Sequence, residues 1–357
     1  MSNTKKVFII IISILVFLVL SVFLTIYFLF IHHYKGTEII DEWHETDQFK
    51  IENISTLQKE KDKDFIILNL ADVQMCDLED IFNMPTIHRE ITYLVEKTKP
   101  NLITLTGDQT WSNENLISLK TLIKWLDDYK IPYAPVFGNH DYGNKKNSAV
   151  AELNYCCDLY ERGKYSLFKR GPSNLGSLGN YVINIMEEGN IYKTLYMIDA
   201  GYNDAISDEQ IAWLKWNANG IRSVNNGIFS EGMCFMHKPI PEFRTAFYKF
   251  LNGSADVEAI NDVYVNYSLS GTIQNGFFDV VKEGNVLDII CGHQHGNNFT
   301  LKYENVRLTF ALKTGELGGF YADEEIYLNG ASVFNLSNAF VNIQSVFVDR
   351  DEYKIKK

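Results

Sequence analysis

The order of apolar and polar positions divides the chain into three regimes. Val7 to Ile31 is an apolar stretch without a single charge. As a helix it extends about 37 Å, enough to cross a hydrocarbon layer of about 30 Å with some tilt. Residues 35–61 are polar and charged with little periodicity and read as a tether. From residue 62 onward, short apolar runs alternate with amphipathic ones. Ile66–Leu70, Leu102–Thr106, Tyr133–Phe137 and Leu287–Cys291 read as buried strands, and Ile87–Lys97 and Leu116–Tyr129 as helices. Further strands are expected over Asn180–Met186, Leu195–Asp199, Val306–Ala311 and Phe340–Val348. Ser207-Asp208-Glu209-Gln210 is a capping box that opens a helix through Ile211, Trp213 and Leu214, and Gly220 is placed to end it. The resulting organisation is a tip and membrane span at 1–34, a tether at 35–61, one domain at 62–349 and a charged tail at 350–357.

The apolar N-terminal stretch is longer and bulkier than the core of a cleaved signal peptide, and Phe28-Leu29-Phe30-Ile31 offers no small-residue cleavage site. It therefore reads as a retained anchor. Lys5 and Lys6 precede it and Lys35 follows it, a bias that puts the N-terminus in the cytoplasm and the bulk of the chain in a lumen or outside the cell. Asn-x-Ser/Thr sequons at Asn53, Asn252, Asn266, Asn298 and Asn335 agree with that orientation, although an Asn-rich chain produces some by chance.

Charge and cysteine content narrow the function. A net charge of -12 argues against a nucleic-acid partner, which calls for a basic footprint. It also means that an anionic substrate must be drawn in locally, and bound metal ions can do this. The cysteines are odd in number, 5, with no CxxC pair, so neither a zinc knuckle nor a dense disulfide framework is indicated, and at most one or two disulfides are allowed.

The chemistry lies in polar blocks spread over the chain: Asp72-Val73-Gln74, Gly107-Asp108-Gln109, Gly138-Asn139-His140-Asp141, Met236-His237 and Gly292-His293-Gln294-His295. The first three and the last directly follow the apolar strand runs. Strands that end in such residues gather their polar tips at one sheet edge. Asp, Asn and His tips together form a set of oxygen and nitrogen ligands for divalent metals. Taken singly, most of these blocks have an ordinary explanation as a turn, a cap or a structural histidine. The Gly-His-x-His block is the exception, because two histidines at a strand end have little packing reason to be there.

In this order the blocks resemble those of the calcineurin-like metallophosphoesterases: Asp-x-His, Gly-Asp, Gly-Asn-His-Asp/Glu, a separate His and Gly-His-x-His. The resemblance covers about residues 62–348 and implies an α/β (α+β) fold of four layers, two mixed β-sheets packed face to face with helices outside. It implies two divalent metal ions, manganese, iron, zinc or magnesium. Asp72, Asp108 and His295 would hold the first, and Asp108, Asn139, His237 and His293 the second, so that Asp108 bridges both. A hydroxide held by the pair would be the nucleophile. His140 would act as general acid or electrostatic stabiliser, and Asp141 would orient its imidazole.

Two positions depart from the pattern. Gln74 stands where the family has a metal-binding histidine, and its carbonyl oxygen is the weaker ligand. Purple acid phosphatases also lack that histidine and use a tyrosine three residues after the motif Asp. Here Trp111 occupies that place, and indole has no lone pair for a metal. No ferric-tyrosinate site is expected, and the first site should be weaker or richer in oxygen.

Other stretches resemble the purple-acid-phosphatase-related phosphatases of fungi and plants: Gly107-Asp108-Gln109, Gly179-Asn180-Tyr181, Leu195 to Gly201, Phe235 to Phe243, and Asn275-Gly276-Phe277-Phe278. Lys238 is a candidate for touching substrate phosphate, and Tyr165, Arg170 and the Gly171–Gly179 stretch for a loop over the site. The leading expectation is a membrane-anchored phosphomonoesterase acting on a phosphorylated substrate. A phosphodiesterase acting on nucleotides or lipid head groups, and a silent scaffold that keeps the fold, are the alternatives.

Overall fold

The computed structural model describes residues 3–28, 32, 34–77, 84–112, 115–142, 152–201, 206–266, 268–269, 276–315, 320–321, 327–337 and 341–348. The charged tail and Asn275 lie outside the described residues. An apolar helix α1 (Asn3–Ile26) comes first, with no residue buried against the protein. The rest of the described chain forms helices α2 (Met84–Thr98), α3 (Leu116–Tyr129), α4 (Leu153–Glu161), α5 (Asp208–Val224), α6 (Pro241–Leu251) and α7 (Phe277–Glu283). The strands are β1 (Ser55–Gln58), β2 (Phe65–Leu70), β3 (Leu102–Thr106), β4 (Tyr133–Val136), β5 (Tyr181–Glu187), β6 (Asn190–Met197), β7 (Gly232–Phe235), β8 (Val257–Ala259), β9 (Tyr264–Val265), β10 (Val286–Cys291), β11 (Asn297–Tyr303), β12 (Val306–Phe310), β13 (Phe320–Tyr321), β14 (Tyr327–Leu328), β15 (Gly330–Leu336) and β16 (Val341–Phe347).

Two mixed sheets carry the architecture. One runs β16-β15-β2-β3-β4, with β2, β3 and β4 parallel. The other follows β1-β5-β6-β7-β10-β12-β11-β8, with β9 also on β11 and a parallel centre of β6, β7, β10 and β12. Side-chain alternation shows how they stack. Met233 and Phe235 of β7 join the core that also holds β2, β3 and β15, and Phe235 meets Phe334 of β15 edge to face at 6.2 Å. Cys234 and Met236, one residue out of phase, join a second core with residues of α5, α6 and α7. Helices α2, α3 and α4 contribute to the first core. The layers are thus helix, sheet, sheet, helix, the arrangement expected from the sequence.

Helix α3 has the bounds that its periodicity predicts. The capping box is formed: Gln210 N donates to Ser207 Oγ at 3.1 Å, and Ser207 N donates to Gln210 Oε1 at 3.0 Å. Gly220 does not end this helix, which continues to Val224. A Cβ at Gly220 would lie 2.2 Å from the Phe49 ring, so the glycine gives room for an aromatic residue from the N-terminal segment.

That segment is more than a tether. Trp43 is buried, and Trp43 and Phe49 pack on Trp216 of α5 at 5.9 and 5.3 Å. Ser55–Gln58 forms β1 on the edge of the larger sheet, parallel to β5. Arg170 clasps the strap: it pairs with Asp158 and Glu161 and donates to the Thr37 carbonyl, while Asp158 accepts from Thr37 N and Oγ1. A strap with little periodicity can still pack when a few large side chains have a prepared surface to land on. All five cysteines are buried free thiols, and burial raises the Cys156 thiol to about 12, so the packing, and no disulfide among these, holds the domain. Asn53, Asn252 and Asn266 are exposed. Asn298 is buried and exchanges hydrogen bonds with Ser345, which leaves no room for a glycan.

Candidate metal centre

All the polar blocks lie at strand C-termini, and they come from both sheets. Asp72, Asp108 and Asn139 follow β2, β3 and β4 of the smaller sheet, and His237 and His293 follow β7 and β10 of the larger one. These strands are parallel within each sheet, so their polar tips emerge at one shared edge. Backbone bonds zip the first two loops together: Asp72 N to Gly107 O, Gln74 N to Asp108 O and Met75 N to Gln109 O, at 2.9–3.2 Å. The zipping turns the chain sharply. Asp72, Gln74, Asp108 and His293 all take positive φ (52°, 51°, 52° and 73°), a conformation that L-residues rarely adopt and that gathers at functional sites. Gly138 meets the same crowding from behind, since a Cβ there would lie 2.2 Å from Asp108 Oδ1.

The ligand atoms converge. His237 Nε2 lies 3.3 Å from Asp108 Oδ2, 3.1 Å from Asn139 Oδ1 and 3.2 Å from His293 Nδ1. One ligand atom each from Asp108, His237 and His293 fit within 4.8 Å of one another. The other nitrogen of His237, Nδ1, donates to the Thr106 carbonyl at 2.9 Å. That bond selects the tautomer whose Nε2 lone pair faces the cluster, as in histidines that bind metals. Carboxylate oxygens, an amide oxygen and the ring nitrogens of two imidazoles then point at one small volume, and a cation bound there would take the place of the proton that His237 otherwise shares with Asp108. The chemistry of the donor set therefore fits a divalent metal. His295 closes the other side, with Nε2 3.5 Å from Asp72 Oδ1.

Protonation preferences follow from burial and charge. Burial would raise Asp72 and Asp108, but the neighbouring histidines hold both carboxyls below the usual range: His295 and His237 for Asp72, His237 and His140 for Asp108. Burial would lower His237, yet the Asp108 charge and bond, with Asp72, push it up to about 9. Burial and the His237 charge push His293 down to about 4.

Four candidates, Asp141, Gln74, Arg170 and Tyr165, sit otherwise than their assigned roles suggest. Among the described residues, Asp141 makes no hydrogen bond to the His140 ring and turns to backbone amides instead. Its carboxylate accepts from the backbone amides of Gly138, Thr110 and Gln109 at 2.8, 3.2 and 3.4 Å. Burial and the Asp108 charge push its carboxyl up to about 8. The His140 ring is held by Trp111: Nδ1 lies 3.0 Å from the Trp111 carbonyl, and the rings stack at 4.4 Å and 27°. Gln74 turns its amide nitrogen to Asp108 Oδ2 at 3.3 Å, so it is its donor and not its carbonyl that meets the Asp108 carboxylate. Arg170 and Tyr165 serve elsewhere, Arg170 in the strap clasp and Tyr165 with its amide on Asp127. Lys238 is buried beside His237.

Sequence reasoning passed over several supporting groups. Buried Lys313 donates to the carbonyl of Asp72 at 2.8 Å, from behind the first ligand loop. Tyr142 donates to buried Asp199, which also accepts from the amides of Gly179 and Gly201, and this ties the Gly138–Tyr142 block to β6. The tyrosine directly after the Asn-His-Asp block was the available signal. Asp72 and Asp108 are 1% exposed and His237 2%, while the His295 side chain is 16% exposed, the His140 side chain 30% and Trp111 51%, the largest value around the cluster among these residues. The site therefore opens past His140 and Trp111.

The family profile described as calcineurin-like phosphoesterase matches residues 65–297. Among curated relatives, the chain is 24% identical over 247 residues to the Arabidopsis thaliana protein named "Probable inactive purple acid phosphatase 28", covering 60% of this chain and 58% of that protein. It is 26% identical over 247 residues to "Phosphatase DCR2" of Saccharomyces cerevisiae, covering 61% and 40%. The chain thus spans less than two thirds of the length of either relative. Among solved structures, a dimetal phosphatase from Danio rerio aligns over 79% of this chain and 95% of its own at 12% identity, TM-score 0.47. A purple acid phosphatase from yellow lupin seeds aligns over 77% and 50% at 10% identity, TM-score 0.40.

Proposed function

From the premise that this chain belongs to the calcineurin-like phosphoesterase family, we propose that it is a metal-dependent phosphomonoesterase held to a membrane by its N-terminal helix, with the catalytic domain on the lumenal or extracellular side. The observation that carries this reading is the convergence of Asp108, Asn139, His237 and His293 from two different sheets onto one small volume. Asp72, Asp108 and His295 would hold one divalent ion, and Asp108, Asn139, His237 and His293 a second. When bound, such a pair supplies Lewis acidity toward phosphoryl oxygens and brings water closer to hydroxide at neutral pH.

The residues of the chain divide the remaining work. His237 is fixed by Thr106 and keeps its Nε2 lone pair inward. Asp141 gathers three amides and so sets the path of the loop that carries Asn139 and His140. The His140 ring is held at Nδ1 by the Trp111 carbonyl, with Nε2 3.9 Å from Asp108 Oδ2, and in its imidazolium form it can give the Nε2 proton to the leaving oxygen and return to the neutral ring. Asn139 and His140 also offset the charge that develops on the phosphoryl oxygens.

A second reading, a fold that keeps its shape without turnover, is favoured by one observation: Gln74 presents a donor to Asp108 where the family places a ligand. Phosphate release by wild type and Asp108→Asn with manganese, magnesium, zinc or ferrous iron separates the two. The enzyme reading expects wild-type turnover and a loss of about a thousandfold or more in the variant. Metal-free, inactive wild type would favour the silent fold, and full activity in Asp108→Asn would overturn the bridging role.

A further inference from the structure

The segment just past α1 is docked on α3 and α4. His32 N closes back on the Tyr27 carbonyl at 2.8 Å just past α1, and ring contacts then continue from Phe28 to His32 at 5.5 Å, His32 to Tyr34 at 4.6 Å and Tyr34 to Tyr155 at 4.9 Å. The Tyr34 carbonyl accepts from the amide of Glu152, the residue that precedes α4, at 2.9 Å. Lys120 of α3 lies over both Tyr34 and Tyr155, at 5.4 and 5.6 Å.

The place of this dock in the fold matters. Among the described residues, α3 is the first helix after the Asp108 block, and α4 the first after the Asn139-His140 block. A helix that leaves a strand's C-terminal tip begins at the sheet edge where the tip's ligands lie. Tyr34 meets Lys120 in the second turn of α3 and Glu152 and Tyr155 at the start of α4, which puts the exit of α1 toward the same edge as the strand tips. The most exposed side of the site is that same edge. Trp111 is 51% exposed there and Ile117, in the first turn of α3, 43% exposed. Aromatic and aliphatic side chains left in water beside an anchored helix suit the interface of a bilayer, where tryptophan and tyrosine concentrate.

We propose that the metal centre opens onto the membrane surface beside its own anchor, and that its substrate is a phosphomonoester head group of a lipid in that bilayer. The proposal rests on the phosphomonoesterase reading and on α1 spanning the membrane. The dock, not overall charge, brings site and substrate together: with a net charge of -12 the chain gains nothing from long-range attraction to anionic lipid. Anchoring instead makes the encounter one within a surface, where effective concentration is high. The exposed Trp111 and Ile117 would lie against the interface while the head-group phosphate enters past His140.

The test uses the full chain in phosphatidylcholine vesicles with manganese, and three substrates: phosphatidic acid in the same vesicles, water-soluble dihexanoyl phosphatidic acid, and p-nitrophenyl phosphate. Wild type should release phosphate from the bilayer lipid about tenfold faster than from its soluble analogue. Ile117→Glu, a surface change, should lose about tenfold on the bilayer lipid and leave p-nitrophenyl phosphate turnover unchanged. Tyr34→Ala, which frees the dock, should act in the same direction. If p-nitrophenyl phosphate is turned over but the bilayer lipid has no advantage, or Ile117→Glu lowers neither rate, the membrane-surface site is overturned and the phosphatase reading survives. If metal-loaded wild type turns over none of the three substrates, both readings fall.

Discussion

The backbone amide of His293 donates to both carboxylate oxygens of Asp72, at 3.0 and 2.9 Å. The two residues are 221 positions apart and belong to different sheets, so this contact closes the edge where the ligand loops meet. Asp72 is thus both a candidate ligand and a structural acceptor. Asp72→Ala should cost about 1–3 kcal/mol of stability from the amide left unpaired, partly offset by relief of repulsion with Asp108. It should also lower metal-dependent turnover by about a hundredfold or more. Thermal unfolding and manganese titration of the variant measure the two effects separately.

His237 should make metal affinity depend on pH. Its pKa in the folded, metal-free protein is raised to about 9 from the ordinary 6.5. The stability it contributes to the metal-free protein is therefore complete below about 6.5 and lost as pH rises through about 9. Metal binding needs the neutral ring, so between those values affinity should rise by about tenfold per pH unit for each proton displaced. Isothermal titration in buffers of different ionisation enthalpy reads the released proton directly. Affinity that stays flat from pH 7 to 9 would place His237 outside the ligand set.

Asp141 holds three backbone amides and should act through the loop it organises. Asp141→Ala leaves those buried donors unpaired, a cost of about 1–3 kcal/mol. Activity should fall because Asn139 and His140 lose their placement. Replacing His140 itself by alanine should lower turnover with little change in stability, because that ring is part exposed. Paired unfolding and turnover measurements on both variants give opposite rankings if this division is correct.

Restoring histidine at position 74 removes the amide that donates to Asp108 and returns an imidazole to the first ligand block. Gln74→His should tighten the weaker metal by about tenfold. Unchanged affinity in a competition assay with a chelating dye would mean that position 74 does not face the metal.

The N-terminal strap should matter to stability and not to chemistry. In Gly220→Ala the new methyl would lie within 2.2 Å of the Phe49 ring and must displace it. Overpacking of this kind costs about 1–3 kcal/mol. The melting temperature should drop while turnover per folded molecule toward p-nitrophenyl phosphate stays at the wild-type level.

Local pattern decided a good deal of this protein. The apolar runs before Asp72, Asp108, Asn139 and His293 appear as β2, β3, β4 and β10, because a buried strand needs a continuous apolar stretch and the polar residue after it marks the tip. The capping box and the bounds of α3 were legible for the same short-range reason. Strand β7 was not, since Gly-Met-Cys-Phe is too short to carry a period, although it is what delivers His237 to the shared edge. Residue types and chain order named the candidate ligands. Their convergence depends on two sheets stacking with their parallel strands ending at one edge, which pattern along the chain does not encode. Asp141 turning to amides, Arg170 clasping the strap, Phe49 filling the space over Gly220 and Tyr34 packing on Tyr155 were all decided by tertiary contact. Each depends on groups more than a hundred positions apart, or on which way a side chain turns once its neighbours are in place, and only the folded chain sets those.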